Sequence, residues 1–141
     1  ALSLCRQVFE SDQMMSDVNR ANLMVASYLG GCAIATSYVG VVHPFSAGLS
    51  VVLGLHHGVA NCIALMALSE FYKEEYDQFI GFVDKQEIDV PKDVCLSLSE
   101  DAFESLYKAT IIHEKPLTNA LGADFRNILT REKVKQIFAR M

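Results

Sequence analysis

Between Arg20 and Glu70 the chain has no Asp, Glu, Lys or Arg, although 21% of its 141 residues are charged. A gap of that length places the segment inside a membrane or inside protein. Ala21 to Val42 offers about the 20 residues a spanning helix needs. Yet Asn22, Ser27, Tyr28, Thr36, Ser37 and Tyr38 interrupt it, no Lys or Arg follows it, and His43-Pro44 stands where a basic flank belongs. The expectation is no membrane span, but a central pair of helices that are apolar on most sides because other helices cover them.

Basic residues are also scarce, with 12 Lys and Arg against 17 Asp and Glu, a net charge of −5 and no basic run. Nucleic-acid binding selects the opposite balance, because basic faces release counterions from phosphates. The four cysteines, Cys5, Cys32, Cys62 and Cys95, contain no C-x-x-C pair, and three sit among apolar residues. Buried, reduced thiols and a cytosolic compartment are expected rather than a disulfide framework. No basic stretch followed by an apolar run opens the chain, so no signal peptide is expected. The first residue is Ala1, and the chain reads as a fragment of a longer protein. No strand-turn-helix glycine-rich phosphate loop occurs, so a nucleotide cofactor would bind mainly elsewhere. There is neither an internal repeat nor a flexible linker, and 141 residues can bury roughly two thirds of their unfolded surface, so 1–141 is read as one domain.

What is present is helical periodicity. Leu2, Cys5, Val8 and Phe9 mark a first helix that Ser11-Asp12 stops, and Ser16-Asp17 starts a long one towards Tyr38. Gly30-Gly31 in its middle costs about 1 kcal/mol per glycine relative to Ala, which the close approach of a second helix would offset. Pro44 suits a helix's first turn, where its missing N–H is not needed, and Gly54 closes the short helix that follows. His56-His57-Gly58 opens another, continuing to about Tyr72. Tyr76, Phe79, Ile80 and Val83 form the stripe of an amphipathic helix ending near Lys85, and Val90-Pro91 is an extended link. Ser99 caps a helix carrying Phe103, Leu106, Tyr107, Thr110 and Ile111. His113 to Phe125 reads as an ordered loop, and Thr130 caps a last helix. The fold class is all-α, with about six or seven helices.

The candidate chemistry lies in the histidines. His43, His56 and His57 all fall in the charge-free segment, where each ring must find a polar partner or cost a few kcal/mol. In one straight helix the 14-residue step from His43 to His57 would separate the rings by about 21 Å, too far to share an ion at about 2.1 Å per bond. Pro44 and Gly54 instead suggest a short helix and a return, which permits convergence. On the residues alone, hydrogen-bonded core histidines remain the commoner reading.

The stretch Gly40-Val-Val-His43-Pro-Phe-Ser-Ala-Gly-Leu-Ser-Val-Val-Leu-Gly-Leu-His-His57-Gly58-Val-Ala-Asn61 resembles the signature of the iron-containing (group III) alcohol dehydrogenases. The small-residue run Ala26 to Ala35 and the terminal segment Lys133 to Met141 resemble that family as well. The resemblance implies a helical metal-binding domain that lacks the family's amino-terminal dinucleotide-binding domain. It implies His43 and His57 as two ligands of a catalytic Fe²⁺ or Zn²⁺, with Gly58 and Asn61 setting the helix start that aims His57. NAD(P) would be bound mainly by the missing domain, the substrate would be a small alcohol, and a homodimer stays open. An Asp and a His separated by three residues, upstream in the family, complete the coordination, and no Asp-x-x-x-His occurs here. Where the family usually has another His four residues after the first ligand, this chain has Ala47, which puts a proton relay at that position in doubt. Pro44, Ser46 to Ser50 and His113 to Gly122 resemble a branch that oxidises the 8-hydroxyl of 3-deoxy-manno-octulosonate. Zinc-dependent polyol dehydrogenases and a non-catalytic helical interaction module are the alternatives. His56 is read as facing away from the site and His113 as a loop anchor, while the cysteines, Tyr28 and Tyr38 are read as core.

Overall fold

A computed structural model describes every residue, Ala1–Met141. The chain is all-α, with nine helices: α1 (Leu2–Glu10), α2 (Asp17–Thr36), α3 (Val42–Leu53), α4 (His57–Ala67), α5 (Lys73–Lys85), α6 (Glu100–Ile111), α7 (Glu114–Leu121), α8 (Phe125–Ile128) and α9 (Arg131–Phe138). They form two compact units. One comprises Ala1–Tyr38 and Gln78–Ile88, the other Val39–Asp77 and Asp89–Met141. No helix is long and apolar enough to cross a membrane.

In the first unit, the last carbonyls of α1 have no partner within their own helix. Gln86 at the end of α5 supplies one, its Nε2 donating to Phe9 O at 2.8 Å, and Lys85 Nζ donates to Glu10 O. The Phe9 and Phe82 rings stack at 5.6 Å above this cap. Helix α2 starts as expected, with Ser16 Oγ accepting from the Asn19 N–H at 3.3 Å. Past Ala26, which is buried, most of its charge-free part is not covered. Tyr28 is 72% exposed, and Met24, Ile34 and Tyr38 also face out. A Cβ added at Gly30 or Gly31 would meet no atom within 4 Å, so the pair does not receive a close-packed helix. Cys32 is exposed with them, which corrects the core reading of that thiol and of Tyr28 and Tyr38.

The second unit meets the expectation of covered helices. Helix α3 packs on α4 and α6, and α6 on α9. A Cβ on Gly48 would lie 3.1 Å from Thr110 Oγ1 and 3.5 Å from Leu106 O, so α3 and α6 approach backbone to backbone at a residue that has no side chain. Phe45 and Phe138, both fully buried, meet at 5.1 Å between ring centroids. Burying side chains of this size contributes about 1.5–3 kcal/mol each. Ser99 and Thr130 cap α6 and α9 through the N–H groups of Ala102 and Lys133. Cys95 is buried here, which pushes its thiol up to about 11. Glu70 accepts from Lys133 (2.6 Å) and Arg140 (2.7 Å), and these hydrogen bonds hold its carboxyl below the usual range. Because the three groups are partly exposed, the network is worth no more than about 1 kcal/mol.

Two helices arise where a loop is expected, α7 and α8 within His113 to Phe125. Pro116 is the third residue of α7, still in the turn whose N–H groups have no helical partner. Pro44 occupies the same third position in α3. Gly122, at φ +87°, ends α7, and the fully buried Leu117 fastens it. Helix α4 also stops earlier than its apolar residues suggest, at Ala67 rather than Tyr72.

Candidate metal centre

His43 is the second residue of α3 and His57 the first of α4, so both rings hang from helix starts. Gly54, at φ +70°, ends α3 in the left-handed conformation that glycine adopts without steric cost. Four residue steps then lead from Leu53 to His57, an extended reach of about 13–14 Å. That nearly retraces the roughly 15 Å that α3 advances from His43. The result is a pair of imidazoles 5.0 Å apart between centroids, at an interplanar angle of 79°.

This spacing suits shared coordination. Two imidazoles bonded to one ion at about 2.1 Å per bond have centroids roughly 5 Å apart. His43 is also kept neutral: burial is the main cause of its lowered pKa, and the neighbouring His57 and His113 push in the same direction. A neutral ring offers the lone pair that a metal needs. No group of three or more His, Cys, Asp or Glu side chains is arranged to hold an ion, and no Asp-x-x-x-His occurs in the sequence.

The depressed pKa of His43 fixes the sign of a pH effect. The unfolded chain, with an imidazole near its ordinary 6.5, takes up a proton at this site before the folded chain does. Stability is therefore full above about pH 6.5 and falls as pH drops through that value towards the folded pKa. Metal-free protein should show this slope in urea unfolding between about pH 5 and 7, and His43→Asn should make it shallower. Equal slopes would show that burial of this ring has no influence on stability.

The start of α3 is held by a residue that the sequence marks only as part of an aromatic packing run. The Val41 N–H, unsatisfied within the helix, donates to Tyr72 Oη at 2.8 Å. A Cβ on Gly40 would sit 2.3 Å from that same oxygen, so only glycine admits it. Ser46, fully buried, donates to His43 O at 3.0 Å on the other side of the turn. Tyr72→Phe leaves the buried Val41 N–H without a partner, which should cost about 1–3 kcal/mol, read as a lower urea midpoint with an unchanged m-value. An unaltered midpoint would mean that water replaces the phenol at no cost.

His56 takes no part in the pair; its Nδ1 lies 3.5 Å from where a Gly58 Cβ would be, over its own helix start. No side chain caps α4, so Asn61 does not anchor that start by a capping hydrogen bond. His113, read from sequence as a loop anchor, stands 5.7 Å from His43 between centroids, on the N-cap of α7. Foresight about it required seeing Pro116 as a helix-start residue, the role given to Pro44. His43 thus neighbours two other imidazoles, and the three belong to the starts of different helices.

Residues 4–109 match the profile described as Fe-containing alcohol dehydrogenase family, C-terminal. The match spans α1 to most of α6 and includes His43, His56 and His57, while His113 lies beyond it.

Proposed function

The chain belongs to the Fe-containing alcohol dehydrogenase family, and from that we propose that it is the metal-binding half of an NAD(P)-dependent enzyme that oxidises a primary alcohol. His43 and His57 are two of the ligands of a divalent ion, Fe²⁺ or Zn²⁺. The observation that carries the reading is the 5.0 Å separation of their rings on two helix starts. When bound, such an ion supplies Lewis acidity that makes a hydroxyl easier to deprotonate.

The chain's own residues do the positioning. Tyr72 and Ser46 hold the first turn of α3 and with it the direction of the His43 ring. Gly54 returns the chain so that His57 arrives beside His43. The remaining ligands and most of the dinucleotide site belong to an amino-terminal segment of the same protein, a reading supported by the absence of a third donor beside His43 and His57. The substrate within the primary alcohols is the 8-hydroxyl of 3-deoxy-manno-octulosonate, on the resemblance of Pro44, Ser46 to Ser50 and His113 to Gly122 to that branch.

Two measurements on the longest natural chain containing these residues test the reading. Metal analysis should find about one Fe or Zn per chain, and a substrate panel should give alcohol-dependent reduction of NAD⁺ or NADP⁺. A metal-free protein without dehydrogenase activity would overturn it. Turnover of glycerol-like polyols in preference to the sugar acid would replace the narrower substrate with the polyol class.

A further inference from the structure

We propose that His113 is a substrate-contacting residue, whose imidazole hydrogen-bonds a second oxygen of the alcohol that reacts at the His43–His57 pair. The assignment rests on the dehydrogenase reading above and adds to it a residue outside the family match, which ends at 109.

Three observations carry it. The His113 ring lies 5.7 Å from His43 at an interplanar angle of 79°, against 5.0 Å for His57. It belongs to no three-residue donor set. Its ring lies farther from His43 than that of His57 does, a placement that suits contact with a substrate held at the pair better than a third bond to the ion.

The ring is free to act but fixed in place. It is half-buried and no protein group hydrogen-bonds it; the neighbouring Glu114 carboxylate is held by Arg126 at 2.5 Å. Its backbone is tied at both ends, the His113 N–H donating to Thr110 O at 3.3 Å and the Leu117 N–H to His113 O at 3.1 Å. Thr110 and Leu117 are both fully buried, which anchors the corner between α6 and α7. A polar ring on a rigid corner is the arrangement that orients a small ligand at low entropic cost.

A neutral imidazole carries one donor and one acceptor and so can bind a hydroxyl either way. Alcohols with an oxygen on the carbon next to the reacting one should be favoured over simple alkanols. The pair 1,2-propanediol and 1-propanol isolates that oxygen on a constant carbon chain.

The experiment uses the full-length, metal-loaded enzyme and its His113→Ala and His113→Gln variants. The wild type should prefer the diol in kcat/KM. His113→Ala should remove about tenfold or more of that preference, the scale of one lost hydrogen bond, and His113→Gln should restore part of it. Calorimetric titration of 1,2-propanediol into the metal-loaded enzyme should weaken in parallel, while Zn²⁺ affinity by chelator competition stays within about threefold of wild type, well short of a ligand's loss. If His113→Ala loses Zn²⁺ as His57→Ala does, His113 is a ligand and the assignment is overturned. A wild type indifferent to the second oxygen, or a diol preference that survives in His113→Ala, overturns it too. A wild type that binds no metal instead overturns the dehydrogenase reading itself.

Discussion

Replacing His57 with Ala should lower the affinity of the full-length enzyme for Fe²⁺ or Zn²⁺ by more than about 100-fold, the upper end of what losing a mere outer hydrogen-bond partner of a ligand costs. His57 is exposed at the first residue of α4, so Ala there leaves the fold intact and the effect is specific to the ion. His43→Ala should do the same from the half-buried side. The sharper test is the double variant. If both rings bind one ion, removing the second after the first costs little further, because the site is already broken; two independent sites would give additive losses. Additivity, or either single variant retaining near-wild-type Zn²⁺ affinity by chelator competition, would sink the shared-ion geometry despite the 5.0 Å spacing.

Phe45→Ala should be the most damaging single change to stability, about 3–5 kcal/mol, the range for deleting a fully buried aromatic ring. The ring is completely enclosed and packs on Phe138 across the contact of α3 with α9. Little collapse is available to fill the void, because α3 is already pressed against α6 at Gly48. The loss should appear as a lower urea midpoint with unchanged m-value, and Phe45→Leu should cost much less, since it keeps most of the volume. Phe45 lies two residues after His43, so the loosened turn should also weaken metal binding in the folded fraction. A loss below about 1 kcal/mol, the typical cost of an average substitution, would mean that this ring does not anchor the unit.

The structure agrees with the sequence at three helix caps and at the end of α3. Ser16, Ser99 and Thr130 cap helices as their side chains dictate, and Gly54 ends α3 in the conformation glycine favours. The approach of His43 to His57 is legible only as permission, through Pro44 and Gly54; resemblance to a known signature turns permission into expectation. What sequence reading misses is partly non-local and partly a local signal passed over. Tyr72 reads as one aromatic among several, and its phenol matters only because the Val41 N–H arrives in front of it. His113 looks like a loop residue until Pro116 is recognised as belonging to a helix's first turn. The charge-free segment splits in two: α3 and α4 are apolar because helices of their own unit cover them, whereas α2 is apolar and, past Ala26, mostly bare.

That bare flank has a consequence for the protein's life in a cell. A rod of twenty residues runs about 30 Å, and along it Met24, Tyr28 and Ile34 face water. Until something shields it during synthesis, such a surface is what chaperones hold and quality-control proteases cut. The sooner after translation that apolar surface is hidden, the less of this polypeptide is open to such capture.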